Sequence, residues 1–322
     1  MKAVLLRTRE AVLVLAALIL VARAILAAEL TGSSAAALAA SYGAPVGMIA
    51  LGLTFIVSAG RLDVSLPAIL ALSAAVLAGL SENAGWPLAL AAAGALAVGG
   101  AAGMLNGLLT AWLRIPSFWG TFASALLFSG IAVAIGTGGA RPALSEGFLL
   151  LGQGEWIPVG FGAFLTPSVL LWVALTAVSG LVLRRTWVGR YAECIGENET
   201  AAQFAAIPVR RLTIGVFTLA GLACGLAALF TVSVREVVPI HTFPGLELDA
   251  IACVLIGGTR LRGGRGCVEG TFLAVVTLGL ARYNLEHAGF APPHVIAAVG
   301  LLLVATAIVN ERFVERTPLD AL

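Results

Sequence analysis

The sequence predicts an all-α polytopic membrane protein with about ten transmembrane segments, some of them short or broken. Three observations support this fold class: 60% of the 322 residues are hydrophobic, only 11% are charged, and apolar stretches of spanning length recur along the chain. A soluble domain carries about 25% charged residues, so this composition favours a membrane protein. Because about 20 apolar residues cross the hydrocarbon core, we place spans at 11–30, 43–60, 64–82, 86–113, 117–137, 164–183, 211–233, 247–258, 267–286 and 294–310.

Five of these spans have distinctive features. Span 11–30 is interpreted as a retained first span rather than a cleaved signal, because its apolar run exceeds the usual signal length and many spans follow. Spans 43–60 and 64–82 are separated only by a short polar break, and 247–258 is too short to cross alone. The Gly/Ala-rich span 86–113 is expected to pack closely against another helix. Residues 1–322 therefore form one transmembrane domain.

The distribution of basic residues predicts the orientation of the chain. With the N-terminus in the cytoplasm, fifteen of the nineteen lysines and arginines lie on the cytoplasmic side. This asymmetry agrees with the positive-inside rule and with an even number of segments. Both termini and the loop 184–211 are then predicted to be cytoplasmic. The Gly/Pro-rich loop 138–163 is predicted to lie outside, over an external mouth.

The loop 184–211 contains the most prominent soluble segment of the chain. It carries five arginines and the stretch GENETAAQFAAI, which can form one short helix that stops at Pro208. Asn198 is a suitable N-cap, and Glu199 follows where a negative charge favours the helix dipole. A small apolar stripe lies at helical spacing on Ala201, Phe204 and Ala205. Such a helix has no catalytic group but offers a surface on which a partner can dock.

The sequence contains no catalytic or metal-binding constellation. Its four cysteines form no CxxC pair, its three histidines are scattered, and the net charge of +2 gives no indication of nucleic-acid binding. The glycine-rich segment 263–266 is not a Walker A motif, because that motif needs a lysine and the only lysine is Lys2. We therefore predict a protein that is not an enzyme, binds no metal or cofactor and has no ATPase site of its own.

Polar residues within the apolar zones are few, and these are candidates for lining a translocation path. Asp63 follows a Gly/Arg break, where pairing with Arg61 or capping of a backbone amide is an equally good explanation. Asn106 lies in the fourth span, where an interhelical hydrogen bond worth about 0.6 kcal/mol is an alternative role. No long relay of buried acids is apparent, which argues against a proton-driven carrier. The path candidates are Asp63, Ser65, Asn106, Trp119, Thr121 and Asp249.

Four segments resemble, in order, the ribose/xylose/galactose-type permeases, the membrane subunits of bacterial ABC sugar importers. The resemblance covers about residues 45–290 and is carried by GRLDVSLPAILALSAAVLAG, GMLNGLLTAWLRIPSFWGTFASALLFSGIAVAIGTGG, IGENETAAQFAAIPVRRLTIGVFTLAGLACGLAALF and ELDAIACVLIGGTRLRGGRGCVEGTFLAVVTLGL. It implies the ABC importer permease fold in the bacterial inner membrane. It also implies a second permease copy (identical or related), a cytoplasmic ABC ATPase that uses ATP, and a periplasmic sugar-binding protein.

The same resemblance assigns a role to the loop 184–211. The family's ATPase-coupling segment matches Gly196, Asn198, Glu199, Ala201 and Ala202, and Phe204 belongs to the same predicted helix. The chain departs from the family pattern at Ala206, where a glycine is usual. It also departs before the third span, where Arg61 enters the family's Gly-Gly-Ile-Asp-Leu-Ser stretch while Asp63 and Ser65 match.

The leading prediction is therefore a permease subunit that forms the path for a monosaccharide in an ATP-driven importer. Three alternatives stay open from the sequence. The first is an importer permease for a nucleoside, polyol, signalling furanose or branched-chain amino acid. The second is an ion-coupled secondary carrier, and the third is a structural or signalling membrane protein without a path.

Overall fold

The computed structural model describes residues 32–83, 85–136, 146–154, 156–160, 163–238 and 245–309, and these are almost entirely helical. The all-α prediction is confirmed for this part of the chain, whereas the predicted span 11–30 lies outside it. The helices are α1 (Gly32–Leu38), α2 (Ala44–Ser58), α3 (Leu66–Ala78), α4 (Leu88–Ala111), α5 (Ser117–Ile135), α6 (Glu146–Gln153), α7 (Pro167–Arg185), α8 (Trp187–Glu197), α9 (Glu199–Phe204), α10 (Val209–Arg235), α11 (Leu246–Ile256), α12 (Val268–His287) and α13 (Pro292–Val309). Two π-helical segments, Ala39–Gly43 and Gly79–Asn83, continue α1 and α3.

Five helical stretches in the described residues are long and apolar enough to cross a membrane: Ala39–Ser58, Leu88–Ala111, Ser117–Ile135, Pro167–Arg185 and Val209–Arg235. The predicted eighth span is confirmed as short. Its helix α11 has 11 residues, which at 1.5 Å per residue is about 16 Å, roughly half the hydrocarbon thickness. The predicted break before the third span is also confirmed, because α2 ends at Ser58 and α3 begins at Leu66.

Helices α2, α3 and α10 form the centre of the protein. Fourteen of the 15 residues of α2 are buried, and Phe55 is the exception. A helix that is apolar on every side has no solvent face and belongs in an interior. Helix α10 packs along α4 and α2 and contributes Phe217 and Cys224, both fully buried, to the same core.

The contact between α4 and α10 depends on glycine. On α4, Gly99, Gly103 and Gly107 recur every fourth residue; the first two face Gly221 and Gly225 on α10, and Gly107 faces Ile214. A Cβ atom at Gly107 would lie 2.7 Å from the α-carbon of the opposing helix, so the backbones could not approach this closely with larger residues. This small-xxx-small packing confirms that the Gly/Ala-rich span serves helix contact.

The loop predicted to lie outside contains regular structure that the sequence did not predict. Strands β1 (Ile157–Gly160) and β2 (Ala163–Leu165) pair antiparallel, with Ile157 opposite Leu165. Helix α6 is fixed to the end of α10 through Ser233, whose Oγ donates to the Phe148 carbonyl at 2.6 Å and accepts from the Gly152 N–H at 2.8 Å.

Candidate functional site

The predicted docking segment contains two helices rather than one. Helix α8 occupies Trp187–Glu197 and α9 occupies Glu199–Phe204, so Gly196 lies in the last turn of α8. The single short helix predicted here corresponds to α9, which ends at Phe204 and not at Pro208, and the preceding helix α8 was not predicted. The extended backbone of Asn198 (φ −158°, ψ 103°) ends one helix and begins the next. The signal for α8 was present in the sequence, as an apolar stripe at positions i, i+3, i+4 and i+7: Val188, Tyr191, Ala192 and Ile195.

The predicted N-cap of α9 is confirmed. The Asn198 Oδ1 atom accepts a hydrogen bond from the Ala201 N–H at 3.0 Å, which satisfies one of the unpaired donors of the first turn. Glu199 lies in that turn, where its charge faces the positive end of the helix dipole. Both side chains stabilise a helix of six residues that would not form in isolation.

Helix α9 presents two different faces. Ala202 is only 4% exposed and packs in a small cluster that includes Ala192 and Ile195 of α8. Phe204 is 88% exposed, the highest value for any large apolar residue in the described ranges. The predicted stripe of Ala201, Phe204 and Ala205 therefore faces away from the chain. An apolar face turned outward on a short, anchored helix is suited to contact with another protein.

An ion pair connects α9 to the break between α2 and α3. The Arg61 Nη2 and Glu199 Oε2 atoms are 2.7 Å apart, and the two side chains are 18% and 44% exposed. Arg61 is the residue that departs from the family pattern. It pairs with Glu199 of the docking helix and does not pair with Asp63. The alternative that Asp63 pairs with Arg61 is wrong.

Glycines bring three segments together beside this ion pair. Gly60 and Gly263 have φ values of 71° and 89°, a left-handed conformation that other residues rarely adopt. A Cβ atom on Gly196 would overlap the backbone of Ser58 and of Gly264. The Gly264 N–H donates to the Ser58 carbonyl at 2.9 Å. The end of α8, the turn after α2 and the loop after α11 are therefore held in backbone contact, a role of 263–266 that sequence reasoning missed.

Three of the predicted path residues form one buried hydrogen-bonded cluster. The Asp63 Oδ1 atom accepts from the N–H and the Oγ of Ser65, both at 2.7 Å. The Asn106 Nδ2 donates to Ser65 Oγ at 2.7 Å and to Asp63 Oδ2 at 3.3 Å. All three residues are at most 2% exposed. Burial raises the pKa of the Asp63 carboxyl, while the hydrogen bonds from Ser65 and Asn106 oppose that rise.

The start of α5 adds Thr121 to this cluster but leaves Trp119 outside it. The Thr121 Oγ1 accepts from the Val64 N–H at 3.3 Å, and the residue is fully buried. Ser117, which the sequence did not single out, accepts from the Leu62 N–H at 3.0 Å. Trp119 is 64% exposed on the opposite side of the helix.

Asp249 belongs to a second buried cluster. The Arg282 Nη2 donates to Asp249 Oδ1 at 2.7 Å, and the Tyr42 hydroxyl donates to Oδ2 at 3.3 Å. The guanidinium also lies 5.7 Å from the centre of the Tyr42 ring, within range of a cation–π contact. The sequence signal for Arg282 was its position inside the predicted span 267–286, where a charge needs a partner.

Comparisons with known proteins extend over most of the chain. A family model described as "Branched-chain amino acid transport system / permease component" matches residues 35–309. The ribose import permease protein RbsC of Bacillus subtilis is 33% identical over 270 residues, covering 83% of this chain and 81% of that protein. The L-arabinose ABC transporter permease protein AraH of Azospirillum brasilense is 32% identical over 236 residues (73% and 67%). The fructose import permease protein FrcC of Rhizobium meliloti is 29% identical over 273 residues (83% and 74%). No solved structure matches the chain.

Proposed function

Because the chain belongs to the permease-component family of branched-chain amino acid-type transport systems, we propose that it forms the path for a monosaccharide in an ATP-driven importer. The proposal for the substrate rests on the relatives, which are named for ribose, arabinose and fructose. The family and the long apolar helices make the chain an integral protein of the inner membrane.

The observation that carries the mechanism is the two-faced helix α9. Its inner face is anchored by Ala202 and by the Glu199–Arg61 ion pair, while Phe204 is turned outward. A partner ATPase that grips Phe204 and moves as it hydrolyses ATP would displace α9, and the glycine contacts would pass that displacement to α2 and the loop after α11. The proposed coupling residues are Gly196, Asn198, Glu199, Ala201, Ala202 and Phe204. The chain itself then needs neither a cofactor nor an ATPase site.

The remaining architecture is part of the same proposal. We propose ten segments with both termini in the cytoplasm, two permease copies (identical or related) around the path, and a periplasmic binding protein that selects the sugar. A path that binds its cargo weakly releases it quickly, which agrees with few polar residues on the spans. Asp63, Ser65, Asn106, Trp119, Thr121 and Asp249 stay the path candidates, and Trp119 is the most accessible of them.

The test is uptake in proteoliposomes that contain the permease, its ABC ATPase and the binding protein. We expect ATP-dependent uptake of a sugar from a panel of ribose, arabinose and fructose. Phe204→Ser should lower this uptake at least tenfold while leaving the amount of protein in the membrane unchanged. Leu301→Ala, at a 73% exposed apolar position on α13, is the matched control and should keep full uptake. Unchanged uptake in Phe204→Ser would refute the mechanism.

A second solute class is favoured by the family description, which names branched-chain amino acids. Leucine, a nucleoside and a polyol therefore belong in the same uptake panel. Uptake of one of these in place of every sugar would correct the substrate and leave the coupling mechanism intact. Uptake driven by an ion gradient without the ATPase would contradict both the proposed ATP-driven importer and the proposed coupling mechanism.

A further inference from the structure

A large cavity lies beside the docking segment and is not explained by the proposed function. It has a volume of about 930 Å³ and opens between the end of α4, helix α9 and the start of α10. Four arginines and one glutamate line it: Arg61, Arg114, Arg210, Arg211 and Glu199. The single glutamate is already paired with Arg61. Within the described ranges no carboxylate pairs with the other three arginines, so the cavity carries an excess of positive charge.

Two buried hydroxyl groups in the cavity wall also have no partner. Thr110 on α4 and Thr213 on α10 are 3% and 1% exposed, and neither Oγ1 atom has a hydrogen-bond partner in the described part of the chain. Six other helical threonines instead donate to the carbonyl four residues earlier: Thr54, Thr176, Thr218, Thr231, Thr271 and Thr277. Because a buried hydroxyl without a partner is unfavourable, its presence twice in one wall indicates a missing acceptor.

The backbone adds a third favourable feature for an anion. Helix α10 has 27 residues and starts at Val209 in the cavity wall, after Pro208, and no side chain caps it. The unpaired N–H groups and the dipole of a helix N-terminus favour negative charge. Guanidinium groups bind phosphate oxygens with two parallel hydrogen bonds. The arginines, the hydroxyl donors and the helix N-terminus would thus each favour an anionic, hydrogen-bond-accepting ligand such as a phosphate group.

We propose that this cavity binds a phosphate group, carried either by an anionic phospholipid or by a soluble phosphate. The site lies where α4 ends, next to Trp112 and Leu113, which are 68% and 66% exposed. An exposed tryptophan at the end of a membrane helix is typical of the headgroup level. A lipid headgroup could therefore reach Arg114 from the bilayer, whereas a soluble phosphate would enter from the aqueous side.

The ligand would act on the coupling segment, and this part of the inference rests on the proposed function. Glu199 and Gln203 of α9 line the same cavity as the arginines. A bound phosphate competes with Glu199 for Arg61 and repels its carboxylate. Occupancy therefore weakens the ion pair that holds α9 against the break between α2 and α3, and so regulates coupling.

The test uses the full-length permease, delipidated in detergent and without ATPase or sugar. Native mass spectrometry measures binding of phosphatidylglycerol and of diacylglycerol, which lacks the phosphate, and calorimetry measures binding of inorganic phosphate. We expect phosphatidylglycerol to bind at least tenfold more tightly than diacylglycerol. Replacing Arg210 and Arg211 by glutamine should weaken phosphatidylglycerol binding by about tenfold or more. Arg190→Gln, at an exposed arginine of α8 outside the cavity wall, is the matched control and should bind like the unmodified protein.

Thr213→Val provides a second readout that does not depend on charge. It removes the unpartnered hydroxyl at nearly constant volume, so the ligand-free protein should melt at a higher temperature. The rise in melting temperature on adding phosphatidylglycerol should shrink, whereas Thr213→Ser should retain that rise.

The outcomes distinguish a lipid phosphate from a soluble phosphate, and they show whether the cavity binds phosphate at all. Binding of inorganic phosphate as well as phosphatidylglycerol identifies a general phosphate site, and binding of phosphatidylglycerol alone identifies a lipid site. Equal binding by the Arg210/Arg211 variant and the unmodified protein would overturn the proposal, as would equal binding of diacylglycerol. Absence of binding of both phosphatidylglycerol and inorganic phosphate to the unmodified protein would overturn it too. Because this assay contains neither sugar nor ATPase, its failure and a failure of sugar uptake are distinguishable.

Discussion

Two ion pairs of equal length have opposite roles in this protein. Arg61–Glu199 and Arg282–Asp249 both measure 2.7 Å between nitrogen and oxygen. The first joins the docking helix to the break after α2, and its glutamate is 44% exposed. The second is enclosed, with its aspartate 4% exposed and a tyrosine on the second oxygen. Breaking the exposed pair should therefore cost little free energy, whereas the buried pair should hold α11 firmly against α12.

Breaking the buried pair should have the largest effect. Asp249→Ala leaves the Arg282 side chain, which is only 17% exposed, without its carboxylate; removing one partner of a buried pair is expected to lower the free energy of unfolding by about 3–5 kcal/mol. Chemical denaturation of the purified protein in detergent measures this loss. The double variant Asp249→Leu/Arg282→Met should recover most of it, because no charge is left unpaired. A loss as large in the double variant would show that the pair itself, and not the orphaned charge, supplies the stability.

Crowding the glycine contact should have the next largest effect. Gly196→Ala places a Cβ atom against the backbone of Ser58 and Gly264, and such overpacking costs about 1–3 kcal/mol. We expect lower stability and, on the proposed mechanism, lower sugar uptake, because this contact would pass the displacement of α9 to α2. Gly215→Ala is the control, because its Cβ would meet nothing within 4 Å. Equal behaviour of the two variants would show that the contact at Gly196 is not tight.

Relieving the turn after α9 should stabilise the protein. Ala206 has a φ of 58°, a left-handed conformation that costs a residue with a Cβ atom about 1–2 kcal/mol. Ala206→Gly should therefore raise the free energy of unfolding by about 1 kcal/mol, measured in the same denaturation assay. Ala205→Gly, whose backbone has a φ of −78°, should bring no gain. Equal effects of the two variants would show that the left-handed backbone at Ala206 costs no stability.

Opening the exposed pair should have the smallest effect on stability. An ion pair at this exposure contributes about 0–1 kcal/mol, so Glu199→Gln should unfold nearly as the unmodified protein does. Sugar uptake should nevertheless fall, because α9 loses its connection to Arg61. A charge exchange, Arg61→Glu with Glu199→Arg, should restore part of the uptake. A destabilisation of several kcal/mol in Glu199→Gln would erase the distinction between the two pairs.

Features that depend only on neighbouring residues along the chain could be predicted from the sequence. The cap at Asn198, the short α11 and the break between Ser58 and Leu66 each depend on a few neighbours in the chain. The first part of the docking loop could also have been recognised, since Tyr191 and Ile195 continue a helical stripe. The arginines of that loop are more conspicuous in the sequence than the apolar residues that recur at helical spacing between them.

Features that join distant segments could not be predicted in the same way. Tyr42, Asp249 and Arg282 meet only after three helical segments pack together. The cavity arginines come from three separate segments, and each one alone is an ordinary basic residue at a span end. The left-handed turn at Ala206 was marked only by the family's preference for glycine there, and the structure supplies the physical reason.

The proposed mechanism depends most on contact between the ABC ATPase and the outward face of α9. A photocrosslinking residue placed at position 204 of the membrane-embedded permease, with the ABC ATPase co-expressed, tests this directly. We expect an adduct between permease and ATPase from position 204 and none from position 301. An adduct from neither position, or from both equally, would contradict it.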